Sequence, residues 1–371
     1  MKTLQMKTFP FFLLITLVIL ASLLVSCTGG AGLASSWPGL TVDVEAETCY
    51  LANQAHVYAI NLANGTEKWR FPAEANNKIT FYAAPALTED GQLVVGGYNH
   101  VFYSINPANG QQNWIFQGSR KDYHYVAAPL SVGESVFAPS ADTYLYALDL
   151  AGNLRWNFKT RDALWSKPIS GGKQLLLPSM DHHVYALSPE SGNLLWTSED
   201  LGGAIVGNTT LGEQGVLYIG TLDSEMIALD TQTGKVLWRS PAEGWIWSGP
   251  ALDQDVLYYG DLKGKMFAVN ASDGTVRWQI QPDTTENSAI TGTPLVVGDT
   301  LYFTSKAGIL YAVDKSNGNA RWSKNLGGEI YPGPAIAGDL ILITPVKADA
   351  LLIAVDLNGN QKWSFTPAKE K

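Results

Sequence analysis

The chain has 371 residues, including 36 Gly, 12 Trp and 16 Tyr, and only 16% of it is charged, a turn-rich composition with ample apolar mass for a core. The formal net charge is −9 and no basic run occurs in the body of the chain, which excludes nucleic-acid binding through phosphate neutralisation. Cysteine occurs only at positions 27 and 49, too few for a disulfide framework once Cys27 is otherwise engaged.

Residues 1–27 read as an address. Lys2 and Lys7 flank a polar start, an uninterrupted apolar run covers residues 9–25, and Leu24-Val25-Ser26-Cys27 closes it, the order of a secretory signal. The closing tetrad resembles the bacterial lipobox, so Cys27 is the expected lipidation site; a simple membrane-spanning anchor is the alternative. Cleavage would remove Lys2 and Lys7 and leave 23 basic against 34 acidic residues, a net charge of −11. Residues 28–36, TGGAGLASS, are expected to form a flexible tether. Cys49, inside the apolar stretch CYLA, reads as a small core residue.

From residue 37 to residue 366 the chain repeats. Trp69, Trp114, Trp156, Trp196, Trp238, Trp278, Trp322 and Trp363 follow one another at gaps of 45, 42, 40, 42, 40, 44 and 41 residues, a period that fits four short strands with their turns. Each tryptophan closes a phrase such as ALDTQTGKVLW (228–238) or AVNASDGTVRW (268–278), while the copies ending at Trp156 and Trp363 are one residue shorter. The alternating apolar part of the phrase predicts a strand. The Asn-Gly, Asp-Gly, Thr-Gly, Ser-Gly or Ala-Gly that follows supplies the φ > 0 residue of a tight hairpin, and the next strand carries the tryptophan. A further apolar run such as VLYIG (216–220), preceded by a small-residue and proline lead-in, brings the unit to four strands. Eight such sheets cannot each bury two faces alone but can do so packed radially. The predicted fold is an all-β, eight-bladed propeller of four-stranded antiparallel blades, with the eight tryptophans as wedges between blades. Burying ~150–250 Å² per ring at ~25 cal/mol/Å² sets an upper bound of roughly 4–6 kcal/mol each. Residues 367–371 are a tail; they leave no spare strand to exchange between the first and last blades.

The phrase A-x-D/N-x-x-x-G-x-x-x-W, recurring in register over residues 37–366, resembles the tryptophan docking motif of the pyrroloquinoline-quinone (PQQ)-type propeller repeats. Those repeats occur in quinoprotein alcohol dehydrogenases, on much longer chains, and in small lipid-anchored propellers typified by the B-subunit lipoprotein of the outer-membrane β-barrel assembly machinery, a scaffold without enzymatic activity. Length and lipobox align this chain with the second branch. The adjacent cysteine pair common in the first branch is absent. Asp149, Asp230, Asp314 and Asp356 occupy turn positions and read as hairpin supports rather than catalytic bases. The resemblance implies a monomeric, extracytoplasmic scaffold on a bacterial cell or outer membrane, with envelope proteins or peptides as partners and no cofactor. PQQ with Ca²⁺, in a dehydrogenase or a cofactor sensor, is the alternative.

In a propeller the lead-ins to the innermost strands and the loops joining second and third strands share one face. Aligning the lead-ins places Trp37, Tyr82, Tyr125, Trp165, Ile205, Trp247, Ile290 and Tyr331 at one equivalent position. The six aromatic members, Trp37, Tyr82, Tyr125, Trp165, Trp247 and Tyr331, are expected to ring the channel mouth, either as a stacking surface for a planar, sugar-like or peptide ligand or as packing between inner strands. The same loops carry Lys78, Arg120, Lys121, Arg161 and Lys167 between blades one and four, and Glu243, Glu286 and Glu329 between blades five and eight, which predicts a bipolar rim. The five histidines are scattered over this face and predict no metal site. No nucleophile elbow, phosphate loop or zinc-protease helix is present.

Overall fold

The computed structural model describes residues 37–76, 78–118, 124–285 and 287–368. The expected signal segment with Cys27, the tether, Arg120, Lys121 and Glu286 lie outside the described residues. Eight four-stranded antiparallel sheets follow one another along the chain, as an all-β, eight-bladed propeller requires; seven are meanders of consecutive strands, and in blade eight the short strand Pro345–Val346 is diverted to pair with Glu329–Ile330. Blade five is typical, with strands Thr210–Leu211, Val216–Gly220, Glu225–Asp230 and Val236–Pro241. Helix is confined, among the described residues, to one 3₁₀ turn at Glu213–Gly215.

The second and third strands read as continuous apolar runs because both of their faces are covered. Successive side chains alternate between faces, so Tyr50 packs towards blade two while Cys49 and Leu51 pack towards blade eight. The buried side chains accordingly form eight clusters, one at each junction between neighbouring blades. The first strands are short and approach one another across the junctions, which sets them innermost. The fourth strands alternate exposed and half-buried residues and form the outer edges.

The tryptophan and the glycine of the phrase act on each other across blades. The ring of Trp196 in blade four lies over Gly234 of blade five, where a methyl group would fall 2.6 Å from Trp196 Cε3. The same pairing recurs at all eight junctions, Trp69 with Gly110, Trp114 with Gly152, Trp156 with Gly192, Trp238 with Gly274, Trp278 with Gly318, Trp322 with Gly359 and Trp363 with Gly65. Each of these glycines has positive φ, from 71° to 84°, so a side chain there is excluded by the backbone and by the ring. Seven of the indoles also donate to the carbonyl that follows the first turn residue of the next blade, for example Trp196 Nε1 to Thr231 O at 3.0 Å and Trp69 Nε1 to Pro107 O at 2.8 Å. At the eighth junction the equivalent Leu357 carbonyl accepts the hydroxyl of Tyr302 at 3.0 Å. A β-bulge one residue before every tryptophan aims the ring at the next blade. The rings are half-buried rather than engulfed, so each contributes less than the upper bound from complete burial.

The ring closes by this same contact and without strand exchange. Trp363 Nε1 donates to Leu62 O at 2.9 Å, the ring covers Gly65, and Phe365 joins Tyr58 and Ile60 in the cluster between blades eight and one.

The turn carboxylates hold the hairpins. Asp230 Oδ1 accepts the backbone N–H groups of Gln232 and Thr233 at 3.0 and 2.7 Å, and Asp314 and Asp356 repeat the pattern. The Ser316 hydroxyl and Arg321 bring the Asp314 carboxyl down to about 2, and Lys362 with Asn360 depresses Asp356. These groups ionise more readily folded than unfolded. The stability they add is complete above the ordinary carboxylate value of about 4 and is lost as pH falls towards 2.

Two outcomes follow. Trp363→Ala should cost about 3–5 kcal/mol in urea unfolding, as much as Trp196→Ala; a cost well under 1 kcal/mol would mean that the seam is held some other way. Asp314→Asn should melt below the parent protein at pH 6, with the two melting curves converging near pH 2, whereas parallel curves across that range would remove the turn carboxylate from the account.

Candidate functional site

Each blade is preceded by an extended lead-in on one face of the ring. In blades two, three, four and seven its residues alternate strictly between buried and half-buried, as in Leu164, Trp165, Ser166, Lys167, Pro168 and Ile169. The buried member at the head, Phe81, Tyr125, Leu164, Ile205, Ile246, Ile290 or Ile330, enters the cluster between blades. Its N–H donates back to the preceding blade, as Ile246 does to Thr221 O at 3.1 Å and Leu164 to Ser140 O at 3.2 Å. One residue earlier, the carbonyl accepts from the blade's own second loop, as Trp245 O does from Leu262 at 2.9 Å and Ala163 O from Met180 at 3.1 Å. The lead-in is thus stitched to two blades, and the residue after the buried one is fixed at the channel mouth.

This geometry corrects the expected ring by one residue. Tyr125 is 2% exposed, with its ring against Phe102 and Tyr146 nearby in the cluster between blades two and three; it does not line the mouth. Ile205 and Ile290 are equally buried. The residues that follow the buried heads are Trp37, Tyr82, Val126, Trp165, Val206, Trp247, Thr291 and Tyr331, half-buried except for Val206 at 7% exposure. A count of three residues back from the lead-in proline, from Pro129 to Val126 or from Pro294 to Thr291, gives this register; the aromatic ring of Tyr125 misdirects it. Three of the mouth rings converge although they come from separate blades. Trp37 of blade one stands edge-on to Trp247 of blade six, centroids 5.2 Å apart, and stacks on Tyr331 of blade eight at 5.9 Å. Lys306 Nζ lies 5.9 Å over the same Tyr331 ring.

The rim charges are redistributed by pairing. Glu243 bonds to Lys265, and Glu329 bonds to Lys347 at 2.9 Å and accepts the Tyr331 hydroxyl at 2.6 Å. These partners hold the Glu329 carboxyl below its ordinary range, while burial and the same carboxylate push Tyr331 up to about 12. The acidic half of the expected bipolar rim is therefore largely neutralised among the described residues. On the other half Lys78 is exposed, and Arg161 donates its backbone N–H to the Asp181 carboxylate at 2.9 Å and sets its guanidinium beside His183. Lys167 sits below the rim, inside the lead-in.

Features outside the sequence-based expectation complete this face. Trp245, with its backbone pinned, leaves its side chain 52% exposed. Tyr98 lies between Tyr82, at 4.9 Å, and His124, stacked at 3.4 Å, and His100 follows His124 at 4.9 Å. Burial, together with the neighbouring His100, lowers the His124 pKa. Among the described residues no three His, Cys, Asp or Glu side chains are grouped to hold a metal ion. Cys49 is buried, and desolvation pushes its thiol up to about 12, which leaves it chemically inert.

Comparison with known proteins agrees with this architecture. The sequence profile of the outer membrane protein assembly factor BamB family, built on PQQ-type repeats, matches residues 30–172, 180–329 and 285–371. The chain belongs to that family. Among solved structures it is similar to BamB from Moraxella catarrhalis, with a TM-score of 0.69 at 16% identity over 86% of this chain and 96% of that one. It is also similar to the computationally designed Ika8 protein, with a TM-score of 0.71 at 13% identity over 89% of this chain and 96% of that one. No curated protein matches the sequence.

The register is open to test. Tyr125→Ala should cost about 3–5 kcal/mol as a buried large-to-small change, whereas Trp165→Ala should cost no more than about 1 kcal/mol in the same unfolding assay. The reverse order would return Tyr125 to the mouth.

Proposed function

We propose that this chain, as a member of the BamB family, is a non-enzymatic scaffold of the bacterial envelope, acting in outer-membrane protein assembly and held at its membrane by lipid on Cys27. The family match along nearly the whole chain carries this reading. The distribution of chemistry supports it. The eight tryptophans and eight glycines serve closure, and the turn carboxylates accept backbone N–H groups, so neither set is available as a catalytic constellation. The partners are envelope proteins or peptides that meet the exposed loops of the mouth face or add a strand to an outer blade edge. A monomeric ring suits that role, since each blade junction is already filled by its own chain.

The quinone alternative requires residues that could hold its calcium ion. Among the described residues no carboxylate group of the necessary number comes together, and no step is assigned to that cofactor.

Two measurements test the scaffold. Mass spectrometry of the membrane-extracted protein should find a diacylglyceryl group on Cys27 and none in Cys27→Ser, which should leave the membrane fraction; an unmodified, membrane-bound chain would refute the anchor. Photo-crosslinkers placed at Trp245 and Tyr98 in living cells should give discrete adducts with envelope proteins. If both positions gave only uncrosslinked monomer, the mouth face would lose its role as the partner surface of the scaffold.

A further inference from the structure

Beneath the aromatic mouth lies a second layer, two residues further along each lead-in: Gly39, Ala84, Ala128, Lys167, Asn208, Gly249, Thr293 and Gly333. Most of these are small because the inner strands meet here. A methyl on Gly249 would fall 2.0 Å from Asn208 O, and one on Gly39 2.0 Å from Ala84 N. Two long polar side chains interrupt the layer, and they come from neighbouring blades. Lys167 of blade four shares the half-buried side of its lead-in with Trp165, while Asn208 of blade five is exposed although its backbone packs on Gly249.

Among the described residues nothing uses the Lys167 charge. Its ammonium has no carboxylate or carbonyl partner among the described residues, and loss of water is the only influence on it, lowering its pKa. A partly desolvated, unpaired ammonium costs stability. No acidic residue stands in the mouth layer or in the layer below it to offset that cost. An ammonium and an amide donor in one layer of neighbouring blades form the pattern that receives a carboxylate, and Trp165 and Trp247 stand two residues earlier in the lead-ins of blades four and six.

We propose that the channel mouth is a binding site for an organic acid carrying a ring, its carboxylate held by Lys167 and Asn208 and its ring set against Trp165 and Trp247. The site goes beyond the scaffold role and stands or falls separately from it. An aromatic acid and a sugar acid offer the same chemistry, because both present a ring face to an indole and a carboxylate to the ammonium.

The test is calorimetric titration of the full chain in detergent with benzoate, indole-3-acetate and glucuronate, each beside its neutral counterpart: benzamide, indole-3-acetamide and glucose. At least one acid should bind saturably and at least tenfold more tightly than its neutral counterpart, and which acid it is separates the aromatic from the sugar source. Lys167→Met should abolish that preference while melting at or above the parent temperature, because it removes an uncompensated charge. Asn208→Ala should weaken the acid several-fold, and Lys173→Met, in a turn on the opposite face, should change nothing. Equal affinity for acid and neutral partner, no saturable binding of any acid, or an undiminished preference in Lys167→Met would each overturn the site.

Discussion

Everything in this ring depends on an indole lying over a glycine of the next blade. The contact imposes two demands on one residue. The hairpin needs φ > 0 at Gly234 and its equivalents, and the tryptophan needs the space a side chain would take. Either demand alone would favour glycine; together they leave no other residue. Because the glycine belongs to one copy of the phrase and the tryptophan to the preceding copy, neither half can be satisfied inside a single blade. Cooperation between neighbours is therefore written into the repeat, and closure needs no special device: Trp363 does to Gly65 what Trp196 does to Gly234.

A second stitch works at the opposite end of the blades. The lead-in donates backward to one blade and accepts from the loop of the next, so its backbone is fixed by main-chain bonds that do not depend on side-chain identity. The buried head residue can be Phe81, Leu164 or Ile246, provided that it is apolar. The residue after it is less constrained and varies in type, from Trp165 to a buried Val206 to Thr291, whose hydroxyl donates to Tyr331 O in the next lead-in at 2.7 Å. Rigid backbone with unconstrained side chains is the arrangement in which a binding surface can be altered without disturbing the fold.

The legibility of the sequence follows the same division. The blades were readable because Trp, Gly and the alternating strands recur at fixed spacing, and spacing survives without knowledge of contacts. The mouth was readable only in part. Tyr82, Trp165, Trp247 and Tyr331 are half-buried members of their lead-ins, but Tyr125 is aromatic for a different reason, as packing against Phe102 between two blades. One residue separates a core position from a channel position in an extended segment, and residue type does not distinguish them there. The pairing of Glu243 with Lys265 and of Glu329 with Lys347 was out of reach, because it depends on which loops meet across the face.

A nearly eightfold ring makes its departures from symmetry informative. Where the fold sets the requirement, the copies agree, as at the glycines under the indoles. Where the copies disagree, the fold has set none. The second layer of the channel is small in most blades because inner strands touch there, yet blade four carries Lys167 and blade five Asn208. Neither is needed for closure, and the lysine, without a partner among the described residues, works against stability through its partly desolvated charge. A side chain that the architecture neither requires nor rewards is best accounted for by something outside the chain that does pair with it. The channel mouth, with its uneven set of rings and its half-buried ammonium at Lys167, is the part of this propeller whose composition closure does not explain.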